Sequence, residues 1–279
     1  MLLGRALLIG CCSAAAATST PIYAPFVDRA MSLFASAGPE LRPYPVDEQL
    51  LTRESTSGAG KRQQAVKLTV QAFSTDKLRQ VRLAHIEGGS GLQVLNFCAF
   101  PSLDYDLPAF AADLVTLPGG HLIALDYAPS CDPATSAVFA PDSALAAAFA
   151  RHRTNLPSGG PLPEAATRYF SPYFLWSRLP TPDADAAILD AVLPAFEDYL
   201  QGYLELVRAA QPLADPSARS AVQDAQLSYA RYRAEEDPAR PMLTRLFGED
   251  FAERLIREVL FDLPLTLEQQ QGSDRAPEI

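Results

Sequence analysis

Basic residues are scarce in this 279-residue chain: 23 Lys and Arg stand against 33 Asp and Glu, the formal charge is −10, and just three of the cations are lysines. That balance excludes a nucleic-acid partner, since neutralising phosphate takes clustered cations in excess. Cysteine and histidine are scarcer still. Cys11 and Cys12 are adjacent, Cys98 and Cys131 are isolated, and His85, His121 and His152 are equally scattered. With no Cys-x-x-Cys spacing, neither a structural zinc site nor a disulfide framework is supported, and no metal site is expected. Cys98 reads as a small buried apolar residue. Long apolar runs are missing too. Residues 6–12 fall far short of the roughly 20 that cross a bilayer, so no membrane span is expected. Chemical signatures are absent as well. There is no Gly-x-Ser-x-Gly elbow and no Gly-x-Gly-x-x-Gly after a strand. Gly60-Lys61 lacks the rest of a phosphate loop, because Ser55 stands at its first Gly and Arg62 at its Ser or Thr.

What is present points to a folded enzyme-sized domain. With 48% hydrophobic and 20% charged residues, the chain can bury a substantial core. Residues 1–20 contain Arg5, a short apolar run and a tract of Ala, Ser and Thr, and the first acid is Asp28. This reads as a targeting leader. Apolar spacing predicts a helix over 23–36, ended by Pro39, Pro43 and Pro45. Residues 52–64 read as a polar loop. Strands are predicted over 66–73, 78–87, 92–100, 122–127 and 169–177. Of these, 92–100 is nearly all apolar, as a strand buried on both faces should be. Helices follow over 187–207, with a kink at Pro194, and over 217–235, capped by Asp215 or Ser217. Two shorter helices, 243–247 and 250–260, are broken at Gly248. Helices before and after a block of strands imply a sheet sandwiched by helices.

Polar residues inside apolar patterns are the candidates for chemistry, because burying them costs free energy unless they have partners or a task. Asn96 in VLNFCAF is either an amide satisfied by backbone or one aimed into a pocket. Asp113, between Ala112 and Leu114, sits in what reads as an apolar wall, where a carboxyl has a raised pKa and can donate a proton. His85 and Glu87 are two apart in a strand and so share a face. Asp237 in EEDPAR is, by spacing alone, a helix terminator. Charge is also uneven: from Arg53 to Arg82 seven cations face two acids, leaving −15 on the remainder.

An ordered series of motifs gives these residues a context. LRQVR (78–82), HIEGG (85–89), QVLNF (93–97), DYDLP (104–108), ADLVTLPGGHLIALD (112–126), YRAEEDPAR (232–240) and EVLFD (258–262) run through the chain. Over about residues 21–262 the sequence resembles the ferredoxin-dependent bilin reductases. Within that family Asn96 and the TLPGGHLIALD run are most like the branch that reduces the A-ring diene of 15,16-dihydrobiliverdin to form phycoerythrobilin. The resemblance implies an α/β fold, a three-layer α/β/α sandwich with a central, mostly antiparallel sheet. Residues 1–20 would be the leader, 21–265 a single reductase domain and 266–279 a polar tail. No bound cofactor is implied; electrons come singly from reduced ferredoxin, and the bilin passes through radical states while protein groups supply protons. Asp113 and Asp237 match the family's proton donors. Asn96, His85 and Glu87 are implied to contact the bilin, and Arg153 to bind a propionate. Ferredoxin is acidic, so Lys61, Arg62, Lys67 and Lys77 are expected to form its docking surface. An upstream bilin-producing enzyme could hand over the substrate. The leader implies a plastid, or the protein is cytoplasmic in a cyanobacterial source. Ser158, Ala111-Ala112 and Glu236 depart from the family pattern. The alternatives are another regiospecificity, giving 15,16-dihydrobiliverdin, phytochromobilin or phycocyanobilin, and a bilin carrier without catalysis.

Overall fold

A computed structural model describes residues 21–58, 60, 63–130, 132–134, 136–180 and 184–274; the leader, Lys61 and Arg62 lie outside the described residues. Pro25 in the first turn opens α1 (Ala24–Ala37), and the Gly38 amide closes it on the carbonyls of Leu33 and Phe34. Phe26, Ala30, Leu33 and Phe34 form its buried stripe, the spacing that one helical face requires.

Strands β1 (Arg42–Pro43), β2 (Thr52–Ser57), β3 (Gln64–Ser74), β4 (Leu78–Glu87), β5 (Gln93–Pro101), β6 (Ala109–Leu117) and β7 (Gly120–Ala128) follow, with the single turn α2 (Glu48–Leu51) between β1 and β2. Next come α3 (Ala144–His152), the turn α4 (Glu164–Thr167) and β8 (Leu175–Leu179). The rest is helical: α5 (Ala184–Ala187), α6 (Leu193–Ala209), α7 (Pro216–Glu235), α8 (Arg240–Phe247), α9 (Glu249–Arg254) and α10 (Leu263–Asp274). The boundary expected at residue 265 therefore falls inside α10. Asp215 caps α7 through the Ser217 amide, at 3.0 Å, and Pro194 follows a π-helical segment, Ile188–Val192, where the helix axis is irregular.

The sheet runs β1-β3-β4-β5-β6-β7-β8, with β2 also paired to β3, and each pairing is antiparallel. Three expectations change here. Residues 52–57 are an edge strand, not a loop; its outward residues are polar because β2 is exposed along most of its length, which hides the strand signal. Residues 109–117, not assigned to any element, form the interior strand β6, between β5 and β7. The strand expected at 169–177 is shorter and later, 175–179, and the aromatic run before it turns so that Phe170 stacks on Phe174, with centroids 4.1 Å apart.

Both faces of the sheet are covered. One face packs Leu83, Leu95, Phe97, Phe110, Leu114 and Ile123 against α1, α3 and α6. The opposite face turns Ala84, Ile86, Val94 and Cys98 toward residues of α7, α8 and the π-helical segment Leu255–Leu260. On the first face, Thr116 Oγ1 lies 2.9 Å from both the Tyr23 hydroxyl and His121 Nδ1, and His121 Nε2 is 3.1 Å from the exposed Asp185, so the buried hydroxyls and imidazole all have partners. Gly120 is required at the start of β7. Its φ is +131°, and a Cβ there would meet the Leu179 carbonyl at 2.1 Å.

Candidate active site

The second face does not close completely. Between the sheet and the segment from Arg233 to Phe261 lies a cavity of about 510 Å³, walled by Ala84, Ile86, Val94, Val115, Leu122 and Ala124 from the strands. Asn96 and Asp113 project from its floor, and Asp237 and Arg233 from its roof. The floor pair follows from register: Ala84, Asn96, Asp113 and Ala124 are successive cross-strand partners over β4, β5, β6 and β7. Two polar residues thus sit side by side between two alanines.

Asn96 Nδ2 donates to Asp113 Oδ1, and Asn96 Oδ1 accepts from Arg82 Nη1. Asp113 Oδ2 is 3.6 Å from Arg233 Nη2. The apolar wall expected around Asp113 is therefore a hydrogen-bonded row, and its side chain is 35% exposed toward the cavity it lines. Asp237 is the more buried acid, 8% exposed. Burial pushes its carboxyl up from the ordinary range, against the lowering by Arg233 and by the Ala239 amide, which donates to Oδ1 at 2.8 Å. Arg233 lies one helical turn before Asp237, and its positive charge acts on both acids.

Three expected site residues lie elsewhere. His85 and Glu87 do share a face, with Nδ1 3.3 Å from Oε1. That face is the opposite one: His85 is the register partner of Leu95, which is buried among the α1 and α6 side chains. Arg153 ends α3, is exposed, and lies over the Phe149 ring at 5.7 Å, in the far helical layer. The cavity's guanidinium groups come instead from Arg178 on β8, Arg233 on α7 and Arg245 on α8. Sequence reasoning missed all three, although Arg233 stands four residues before Asp237 and Arg178 follows Phe174 and Trp176 at alternate positions of one strand face. Phe174 and Trp176 are stacked, interplanar angle 10°, and Arg178 covers the indole at 5.5 Å.

Of the cations expected at a docking surface, Lys67 and Lys77 fall among the described residues, and they lie apart. Lys77 Nζ donates to the carbonyls of Arg208 and Ala210 at 2.9 and 2.7 Å, where it closes the C-terminus of α6. It lies at the β3–β4 turn, beyond Ser74 at the end of β3. Lys67 is exposed on β3, between its register partners Glu54 and Glu87.

An apolar cleft with one carboxyl on its floor, another on its roof and guanidinium groups around it is the kind of site that can hold a carboxylate-bearing ligand against a sheet and supply it with protons. The family model for ferredoxin-dependent bilin reductase matches residues 31–262, and the chain belongs to that family; it is an oxidoreductase. Phycoerythrobilin:ferredoxin oxidoreductase of Nostoc punctiforme is 45% identical over 250 residues, 87% of this chain and 93% of its own. The protein of the same name from Gloeobacter violaceus is 45% identical over 87% of this chain and 96% of its own. The crystal structure of phytochromobilin synthase from tomato in complex with biliverdin superposes with a TM-score of 0.77 at 29% identity, covering 88% of this chain and 84% of that one. Among the described residues no helix is long and apolar enough to cross a membrane.

Proposed function

We propose that the cavity binds 15,16-dihydrobiliverdin and that the protein reduces its A-ring diene to phycoerythrobilin. Two reduced ferredoxins each give one electron, and two protons complete the addition of two hydrogens. The observation that carries this reading is the placement of Asp113 and Asp237 on opposite walls of one cleft, with Arg233 between their influences. Burial raises the pKa of Asp237, which suits its carboxyl to hold and deliver one of the protons. Asp113 delivers the other proton from a carboxyl oriented by Asn96. Apolar strand residues exclude water from the tetrapyrrole plane, and Arg178 and Arg245 at the cavity edge suit its propionates, a task for bidentate guanidinium groups. No resident redox group enters the scheme.

The sequence relatives named above support the regiospecificity. Lys67, together with Lys61 and Arg62, which lie outside the described residues, supplies the contact for the acidic ferredoxin. Residues 1–20 act as a leader to a plastid, or the protein stays cytoplasmic in a cyanobacterial source, and the substrate arrives from an upstream bilin-producing enzyme. Anaerobic incubation with 15,16-dihydrobiliverdin and a ferredoxin-reducing system, followed by product absorbance, tests the central reading. Turnover of biliverdin alone would replace it with another regiospecificity, and binding without turnover of either bilin would make the protein a carrier.

A further inference from the structure

Arg82 is not a cavity residue, yet the site depends on where it points. It is fully buried, 0% exposed, and extends from β4 on the cavity side of the sheet. Its guanidinium lies against two aromatic rings, Phe100 at 5.8 Å and Phe261 at 6.0 Å. Nη2 donates to the Leu260 carbonyl at 3.2 Å, one of the open carbonyls at the end of the π-helical segment Leu255–Leu260. Beside it Gln80 Nε2 holds the Val259 carbonyl at 3.1 Å. These contacts fix the guanidinium from behind, and Nη1 is left to meet Asn96.

A guanidinium has donors and no acceptor, so the Asn96 atom that meets it must be the carbonyl oxygen. The amide nitrogen is then forced to the other side, toward Asp113. An Asn side chain alone has two nearly isosteric orientations; a pure donor on one side selects one. We infer that Arg82 is a positioning residue for the reduction, which sets the Asn96 amide so that its N–H, not its carbonyl, faces Asp113. This rests on the reading of Asp113 as a proton donor. The charged and titratable groups that face the pair are Arg82 from β4, Cys98 from β5, Tyr229 and Arg233 from α7, and Asp237 beyond it. With Arg82 removed, the amide can turn its carbonyl to Asp113 and accept a proton from it, which holds that proton back. The loss of a positive charge also lets Asp237 retain its own more strongly.

The test compares Arg82→Met and Arg82→Lys in the full chain, with 15,16-dihydrobiliverdin and reduced ferredoxin, over a range of pH. Arg82→Met should lower kcat about tenfold or more with KM within about threefold, and move the controlling apparent pKa up by about one unit. Arg82→Lys, a donor without an acceptor, should keep the parent's pH profile. In an Asn96→Ala background the kcat effect of Arg82→Met should shrink to about twofold, since the residue through which it acts is gone. A folded Arg82→Met protein with the parent's pH profile, or an undiminished loss in the Asn96→Ala background, overturns the inference. If Arg82→Met does not fold, Arg82→Leu, which likewise offers neither donor nor acceptor, is read in the same way. The pH titration of the absorbance of bound biliverdin needs no turnover, so it tests the inference separately: an inert parent would defeat the proposed function, and an identical titration in parent and variant would defeat the role of Arg82.

Discussion

Asn96 and Asp113 are direct register partners on β5 and β6, and the amide of one donates to the carboxylate of the other. Adjacent strands hold opposed side chains about 5 Å apart, so the bond is built into the sheet and not left to a loop. Asp113→Asn should keep the shape of the floor and remove the proton. Reduction should fall by about 100-fold or more, with bilin affinity retained and a radical intermediate accumulating in the absorbance spectrum. Loss of binding in parallel with activity would count against a donor role.

Asp237 gives a pH prediction with a defined sign. Its carboxyl is raised by burial, so it is protonated further up the pH scale than a free Asp, and reduction should decline on the alkaline side as it ionises. Asp237→Asn should abolish most activity. The same raised value means that its contribution to folding is present below the unfolded pKa and is lost as pH rises through the folded one. Thermal unfolding should therefore show Asp237→Asn gaining stability relative to the parent from pH 4 to pH 8.

Asp126 should act on stability without taking part in the reaction. It is buried on β7, accepts from the Ser171 amide at 2.9 Å and hydroxyl at 2.5 Å, and desolvation pushes its carboxyl up to about 7. Stability from this group is complete below the pKa of the unfolded carboxyl, falls at up to roughly 1.4 kcal/mol per pH unit as pH rises from there to about 7, and is level above it. Denaturant titration at pH 6 and 8 should show the parent losing stability and Asp126→Asn losing less.

Lys77 and the other cations should separate in a ferredoxin assay. Reversal of Lys61, Arg62 and Lys67 to Glu should raise KM for ferredoxin and flatten its dependence on salt. Lys77→Ala should leave that KM unchanged and cost about 1 kcal/mol of stability, through loss of the carbonyl contacts at the end of α6. A raised KM in Lys77→Ala would restore it to the docking surface.

Gly159→Ala should damage the cavity wall from behind. A Cβ at Gly159 would lie 2.2 Å from Trp176 Nε1, so the indole must shift, and with it the stack of Phe174, Trp176 and Arg178. A rise in KM for the bilin with kcat little changed is expected; an unchanged KM would show that the wall yields without consequence.

The sequence was most legible where its periodicity had one cause. α1, α7, β3 and β4 emerge nearly at their observed limits, because apolar spacing, Pro25, Asp215 and the flanking turns agree. It was least legible where both faces of a strand are buried. His85 and Glu87 share a face, as their spacing requires, but Ala84 and Ile86 on the cavity side are as apolar as Leu83 and Leu95 on the core side. Nothing local says which face holds the substrate. β6 was overlooked because its alternation pairs Phe110, Ala112 and Leu114 with Ala111, Asp113 and Val115, so it reads as one apolar run with a single acid. The basic stretch is divided for a different reason: Lys67 is exposed within β3, while Lys77 lies in the turn beyond it with its ammonium on the carbonyls that end α6. Asp113, Asp237 and Asn96 were selected by pattern and resemblance, and the fold brings all three to one cavity, while Arg178, Arg233 and Arg245 became visible only through that cavity.

The most direct measurement is the product spectrum after anaerobic incubation with 15,16-dihydrobiliverdin and reduced ferredoxin. Conversion to phycoerythrobilin by the parent protein and arrest before product in Asp113→Asn are expected. An unchanged spectrum of 15,16-dihydrobiliverdin with the parent, under conditions in which ferredoxin is reduced and the bilin is bound, would contradict that expectation.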